Sequence, residues 1–304
     1  MLGETFYWIF NMSITAAVTG LVVLLIRTVR KIPRRVIYFL WIIPFLRMAI
    51  PLGLNSPYSF MSLISRFTTR TVTVFMTADD IGLSMTNCVM AADSYFPVTY
   101  KVNLLERLFS ASSIVWIIGL LAAAAALAIL YFSGIREMKD SVHLRENIYL
   151  SEKVQSPAVY GIVRPRIILP VSYAEKDIDY ILMHERMHIR RADNLWRILA
   201  FIITAVHWFN PFAWLFLKLF LADTELACDE CVISKCSPEQ RKAYALSLLE
   251  CKKSADAFAS AFGGAKIRTR IENILSFQKM TWISAAGFTA FAIAIAVVLL
   301  TNAG

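Results

Sequence analysis

The chain has 304 residues, 58% hydrophobic and only 17% charged, with a mean hydropathy of +0.58. A soluble domain carries roughly 25% charged residues, so a purely soluble globular protein is excluded. Counts of 11 Gly, 10 Pro and 5 Cys also exclude collagen, low-complexity and disulfide-rich secreted scaffolds. The net charge of +9 invites a nucleic-acid reading, but in a membrane protein basic residues first report orientation.

A helical span needs about 20 mostly apolar residues. Residues 6–26 form the first, and only Met1 to Thr5 precede it, with no basic n-region and no small-residue cleavage site; this predicts a retained span and not a removed signal peptide. Arg27, Arg30, Lys31, Arg34 and Arg35 follow with no acidic residue among them, which places that short loop in the cytoplasm and the N-terminus outside. Residues 36–54 are the second span, interrupted by Pro44, Arg47 and Pro51; Arg47 is either snorkelling or a polar contact inside the bundle. Residues 55–108 then form a charge-balanced outer loop, 109–132 the third span, and 282–300 the last, with the C-terminus outside. The expected domains are an N-terminal membrane region (1–132), a cytoplasmic domain (133–280) and a C-terminal transmembrane helix (281–304).

Within the cytoplasmic domain, residues 147–150 and 162–169 are β-branched and apolar, broken by Pro157, Gly161, Pro165 and Pro170, and predict short strands or a hairpin. Ser172 with Glu175 makes a capping box ahead of a helix over 177–191. That helix carries His184-Glu185-Arg186-Met187-His188. Histidines at i and i+4 share one helical face and can bind one Zn²⁺, while the glutamate beside the first can take a proton from water. With four histidines and twelve glutamates in the chain, chance predicts about 0.002 such pentads, so coincidence is a poor explanation. A catalytic zinc wants a third protein ligand and an open position. Glu225 can supply the ligand, and Asp229, at i+4, can accept a hydrogen bond from the far nitrogen of a ligating histidine.

A fifth apolar stretch, 195–221, is long enough to span, yet a single crossing would separate Glu225 from His184 and His188. It must therefore turn back, most simply at Asn210-Pro211, as a re-entrant or membrane-surface hairpin; His207 and Trp208 near the bend are read as packing residues. The fold class expected is thus a mainly α polytopic membrane protein, with four transmembrane helices, this hairpin, and a cytoplasmic α+β gluzincin-like zinc domain.

Four blocks in this order, SPAVYGIVRPRIILP (156–170), HERMHIRRAD (184–193), HWFNP (207–211) and ELACDE (225–230), resemble the membrane metallopeptidases of the BlaR/MecR antirepressor family, gluzincins by ligand class. The resemblance implies His184, His188 and Glu225 as zinc ligands, Glu185 as general base and Asp229 as the hydrogen-bond partner of the ExxxD pattern. It also implies substrate addition at an edge strand near Gly161, Ile162, Val163 and Arg164. The antirepressors carry an extracellular penicillin-binding sensor after the last span, and here only Thr301 to Gly304 follow, so sensing by acylation is not expected.

The Cys228-x-x-Cys231 spacing hints weakly at a second metal site, with helix packing as the default, and Cys88 stands alone in the outer loop. Lys266, Arg268, Arg270 and Lys279 before the last span read as a basic membrane flank, or as a self-cleavage segment by the resemblance. The expected activity is zinc-dependent endoproteolysis of a cytoplasmic protein, by analogy a transcriptional repressor, or of the chain itself. Membrane lipid, a membrane sensor partner and a second copy of the chain are the other partners considered; direct nucleic-acid binding is not expected, for want of a helix-turn-helix or zinc-finger pattern. The competing readings are a site-2-type intramembrane protease and a non-catalytic signalling or scaffold protein with a structural metal.

Overall fold

The computed structural model describes residues 2–29, 31–50, 55–56, 58–60, 62, 102–173, 178–252 and 265–303. Most of the expected outer loop, including Cys88, and Glu175 of the expected capping box lie outside these residues. The helices are α1 (Leu2–Thr28), α2 (Arg34–Leu40), α3 (Ile42–Ala49), α4 (Val102–Lys139), α5 (Asp179–Arg191), α6 (Asp193–Val206), α7 (Pro211–Ile233), α8 (Pro238–Lys252), α9 (Ile267–Leu275) and α10 (Trp282–Leu300). The strands are β1 (Asn55–Ser56), β2 (Val142–Arg145), β3 (Ile148–Ser151), β4 (Ala158–Tyr160), β5 (Arg166–Pro170) and β6 (Asn302–Ala303).

Among the described residues, three helical segments are long and apolar enough to cross a membrane: Leu2–Thr28, Arg107–Arg136 and Trp282–Leu300. The expected span over 36–54 differs. It is broken at Trp41 into α2 and α3, because Pro44 lacks an N–H and its ring crowds the carbonyl four residues back, at Leu40. Both pieces lie in the bundle core, where Ile37, Leu40, Trp41 and Met48 pack with Ala16 and Val23 of α1 and Phe216 and Phe220 of α7. Arg47 makes a polar contact inside the bundle: its Nε donates to the carbonyl of Leu299 at 3.0 Å and its Nη2 to that of Thr301 at 2.5 Å. A cation thereby satisfies carbonyls that the end of α10 leaves unpaired.

The apolar stretch 195–221 turns back as α6 and α7, joined by residues 207–210. The Asn210 side chain accepts from the Phe212 N–H at 2.9 Å and Pro211 sits in the first turn, which together start α7 sharply. The turn meets the first half of α1, where Asn210 Nδ2 donates to the Ser13 carbonyl at 3.2 Å and the Phe209 and Phe6 rings lie 5.5 Å apart. Asp223, a further three turns along α7, meets Arg27 at the other end of α1. The second arm of the hairpin, α7, therefore runs alongside α1. Gly20 permits the close approach: a Cβ there would stand 2.1 Å from the Phe216 ring. His207 and Trp208 pack at the bend, with the Trp208 indole donating to the Trp116 carbonyl at 3.1 Å.

The basic α1–α2 loop also has acidic partners on α7. Asp223, fully buried, accepts from Arg27 Nε at 2.7 Å and from Trp41 Nε1 at 2.8 Å. Glu230 accepts from the backbone N–H groups of Arg34 and Arg35, at 3.0 and 3.2 Å, where α2 begins. These contacts tie the basic loop to the helix that bears Glu225.

The α+β part holds a four-stranded sheet in the order β2-β3-β5-β4, with β3 and β5 parallel and both outer pairs antiparallel. Ile148, Ile167 and Leu169 of the sheet face Ile178, Ile181 and Leu182, which seats α5 on it. Ser172 lies in a short 3-10 turn (Val171–Tyr173) and α5 starts later, after Ile178, with no side-chain cap, so Ser172 is not its N-cap. The C-terminal half of α7 leaves the bundle core and packs Val232 and Ile233 against Tyr244, Leu248 and Ile274 of α8 and α9. One helix therefore spans both cores and carries Glu225 between them.

Candidate metal centre

Helix α5 presents His184 and His188 one turn apart on its buried face, with ring planes at 88° and Nε2 atoms 3.0 Å apart. Helix α7 brings Glu225 to them: Oε2 lies 3.4 Å from His184 Nε2 and Oε1 3.6 Å from His188 Nε2. Ligand atoms about 2.0–2.2 Å from a tetrahedral zinc sit roughly 3.3–3.5 Å from one another. The two carboxylate distances are close to this spacing and the imidazole pair is a few tenths of an ångström tighter, so a small opening of the two rings would seat a single ion between the three side chains.

The far ring nitrogens are held so that Nε2 is free for a metal. His188 Nδ1 donates to Asp193 Oδ2 at 2.6 Å, and Asp193, with no exposed surface, also accepts from Tyr38 Oη at 3.1 Å. This geometry depends on Ala192, which closes α5 in the left-handed region (φ 53°) and folds Asp193 back under the preceding turn. His184 Nδ1 lies 2.8 Å from Tyr244 Oη, which donates to Asp229 Oδ1 at 2.6 Å; the Asp229 oxygen itself is 3.3 Å from His184 Nδ1. Asp229 is gripped on both oxygens by Arg270, through Nε and Nη2, each at 2.7 Å. Carboxylates behind imidazoles fix the tautomer and raise ligand basicity.

Burial alone would raise the Asp229 pKa, but the Arg270 charge overrides it and holds the carboxyl at about 2. Burial likewise opposes ionisation of Glu225, and His188, His184 and Arg270 reverse that, keeping it well below the usual carboxylate range. Burial disfavours both imidazolium forms. Cys228, Tyr244 and Asp229 around His184, and Cys228, Glu225 and Asp193 around His188, nevertheless lift both pKa values well above the ordinary imidazole value. A cation entering between the Nε2 atoms must therefore displace protons.

Glu185 is 7% exposed, and no hydrogen bond or ion pair engages it among the described residues. Cys228 is fully buried one turn from Glu225; its thiol group lies 3.6 Å from the His184 carbonyl, and with His184 and His188 it forms a grouping able to hold a metal ion. Gly161, Ile162, Val163 and Arg164 do not form the expected edge strand. They make the tight connection from β4 to β5, with Gly161 at φ 88° and a Cβ there meeting the Arg164 carbonyl at 3.0 Å. The edge strand on this side is β4, and Asn194 Nδ2 donates to its Val159 carbonyl at 2.8 Å. Sequence reasoning placed Asp193 only in a resemblance block and Arg270 only among the basic residues before the last span, and assigned nothing to Tyr244 or Arg197. Asp193 had a local signal, a carboxylate just past the histidine helix; the other three meet the site only through the tertiary fold. Arg197 Nη2 donates to Glu225 Oε1 at 2.5 Å.

Paired imidazoles and a carboxylate, each backed by a buried acid or a cation, at the edge of an apolar helical bundle, form a centre suited to a metal ion. Residues 7–274 match the family described as BlaR1 peptidase M56, and the chain belongs to that family. It is 27% identical to regulatory protein BlaR1 of Bacillus licheniformis over 152 residues, 46% of this chain and 25% of that protein. It is 30% identical to methicillin resistance mecR1 protein of Staphylococcus aureus over 108 residues, 34% of this chain and 18% of the relative. With regulatory protein BlaR1 of Staphylococcus aureus the identity is 25% over 195 residues, 54% and 33% of the two chains. The chain thus spans between 18% and 33% of the length of these relatives. Its three long apolar helical segments are those of a membrane protein.

Proposed function

We propose that the chain is a zinc-dependent endopeptidase with its active site facing the cytoplasm, four membrane crossings in which α2 and α3 together make the second, and both ends of the described chain outside. His184, His188 and Glu225 hold the zinc and Glu185 is the general base. The observation that carries this is the convergence of the two Nε2 atoms and the Glu225 carboxylate at 3.0–3.6 Å, with both Nδ1 atoms engaged elsewhere. Zinc in such a site supplies Lewis acidity, which polarises a carbonyl and eases deprotonation of water. Glu185, adjacent to a ligand and without a hydrogen-bond partner among the described residues, accepts the proton of the attacking water and returns it to the departing amine. Asp193 and Asp229 hold the imidazoles in register throughout. The family membership and relatives named as regulatory proteins support a regulatory substrate, by analogy a cytoplasmic transcriptional repressor, or the chain itself. The bond between β1 and β6 supports placing residues 55–56 and 302–303 on one side, opposite the loop that holds Asp223 and Glu230.

Glu185→Ala tests the base: retained zinc with lost cleavage is expected, and equal cleavage by both proteins would sink the assignment. One observation favours a second reading, a structural metal on His184, His188 and Cys228; Cys228→Ser would then release zinc, whereas under the catalytic reading Glu225→Ala does so. The seat of α5 on the sheet, outside the apolar bundle, weighs against an intramembrane protease.

A further inference from the structure

We infer that Arg270 is a catalytic residue of this centre: it contacts the scissile carbonyl and carries the negative charge that develops on its oxygen. The inference rests on the peptidase reading above and gives a role to a cation beside the metal-side atoms that this reading leaves unused.

Arg270 comes from α9, and its side chain is only 14% exposed. Asp229 takes Nε–H and one Nη2–H, two of the five N–H groups of a guanidinium. The remaining N–H groups do not reach solvent freely. Nη2 stands 3.3 Å from His184 Nε2, and Nη1 stands 3.4 Å from Glu225 Oε2. Those two atoms are the ones assigned to the metal; the His184 nitrogen has a single lone pair, so once it ligates it no longer accepts from Arg270, while the Glu225 carboxylate keeps lone pairs for Nη1. Loaded, the site leaves the second Nη2–H of Arg270 partly buried beside the metal ligands without its His184 acceptor, a costly state unless the substrate provides one. The group is also held rigidly. The bidentate grip of Asp229, itself hydrogen-bonded by Tyr244, fixes the guanidinium plane before substrate arrives. Arg197, on the other side of Glu225, meets it through Nη2 only and is 30% exposed. Of the two flanking arginines, Arg270 is the preorganised one.

The chemistry balances without any further reactant. As the water oxygen bonds to the carbonyl carbon, its proton passes to Glu185 and the C=O π pair moves onto oxygen. Arg270 donates to that oxygen. The pair returns to re-form C=O as the C–N bond breaks, and the proton held by Glu185 goes to the leaving nitrogen. Stabilisation is greatest when the oxygen is charged, so it acts on turnover more than on binding.

The test uses the full chain in detergent micelles, with Arg270→Met and Arg270→Lys beside wild type. The readouts are zinc per chain, turnover of quenched fluorescent casein, and affinity for a dipeptide phosphoramidate whose anionic oxygens imitate the charged oxygen. In Arg270→Met, zinc and casein KM stay within about threefold, while kcat falls and the phosphoramidate Kd rises by about 10²–10³. Arg270→Lys recovers part of both, and it decides the matter if the Met variant does not fold. Unchanged phosphoramidate affinity in a zinc-loaded variant overturns the inference alone, and loss of zinc in both variants does so too by making Arg270 structural. Because inhibitor binding needs no cleavage, a wild type that cleaves no casein still tests it. A wild type that binds no zinc overturns both this inference and the peptidase reading.

Discussion

Replacing Asp193 by Asn removes an acceptor and keeps its shape. In the native protein Asp193 Oδ2 receives the Nδ1–H of His188 at 2.6 Å, and Oδ1 receives Tyr38 Oη at 3.1 Å, both bonds buried. Asn can keep the tyrosine bond through its carbonyl oxygen, but then its NH₂ faces Nδ1. The low-energy response is for His188 to carry its proton on Nε2 and accept at Nδ1, which removes the lone pair that faces Glu225 and His184. Restoring that lone pair leaves two donors opposed, at a cost of about 1–3 kcal/mol for the buried conflict. That range corresponds to roughly 5- to 150-fold in zinc affinity, overlapping the 10- to 100-fold typical of such partners. The assay is competition with a fluorescent zinc chelator, read beside the thermal midpoint of the metal-free chain. Tyr38→Phe, which leaves the His188 bond in place, should weaken zinc several-fold less. An Asp193→Asn protein with wild-type zinc affinity would refute the claim that this carboxylate sets the tautomer of His188.

Other outcomes follow from the same geometry. Glu185→Gln should keep stoichiometric zinc while casein turnover falls by about 10²–10⁴, the usual contribution of a general base. Gly20→Ala forces a methyl to within 2.1 Å of the buried Phe216 ring and should destabilise the bundle by about 1–3 kcal/mol, seen as a lower midpoint in detergent without loss of zinc per folded chain. Because both imidazole pKa values are raised, the ligands remain protonated to higher pH than ordinary histidines, so zinc affinity should climb with pH beyond neutrality, by at most about two decades per pH unit; an affinity flat between pH 6 and 8, checked in the same chelator assay, would contradict the coupled release of protons.

What could be read in advance was whatever chemistry is encoded locally. The i, i+4 histidines and the i, i+4 pair Glu225 and Asp229 each lie on one helix face, so spacing alone orders them. The turn at Asn210-Pro211 was legible because one residue caps a helix and the next starts it, and because a straight span would separate Glu225 from its partners. The broken second span was less so: Pro44 was legible as an interruption, but not that the lost backbone hydrogen bond splits the helix three residues earlier, at Trp41. The edge strand was displaced by a few residues for a related reason, since Gly161 marks a left-handed turn and the pairing segment lies just before it. Tyr244 and Arg270 were beyond reach. They arrive 60 and 86 residues after His184 on helices whose own periodicity says only that they pack.

X-ray absorption at the zinc edge of the purified full-length chain tests the central claim most directly. One zinc per chain with two imidazole nitrogens and oxygen ligands near 2.0–2.1 Å is expected, unchanged in Cys228→Ser and lost in Glu225→Ala. A sulfur shell near 2.3 Å, or no bound zinc at all, would contradict it.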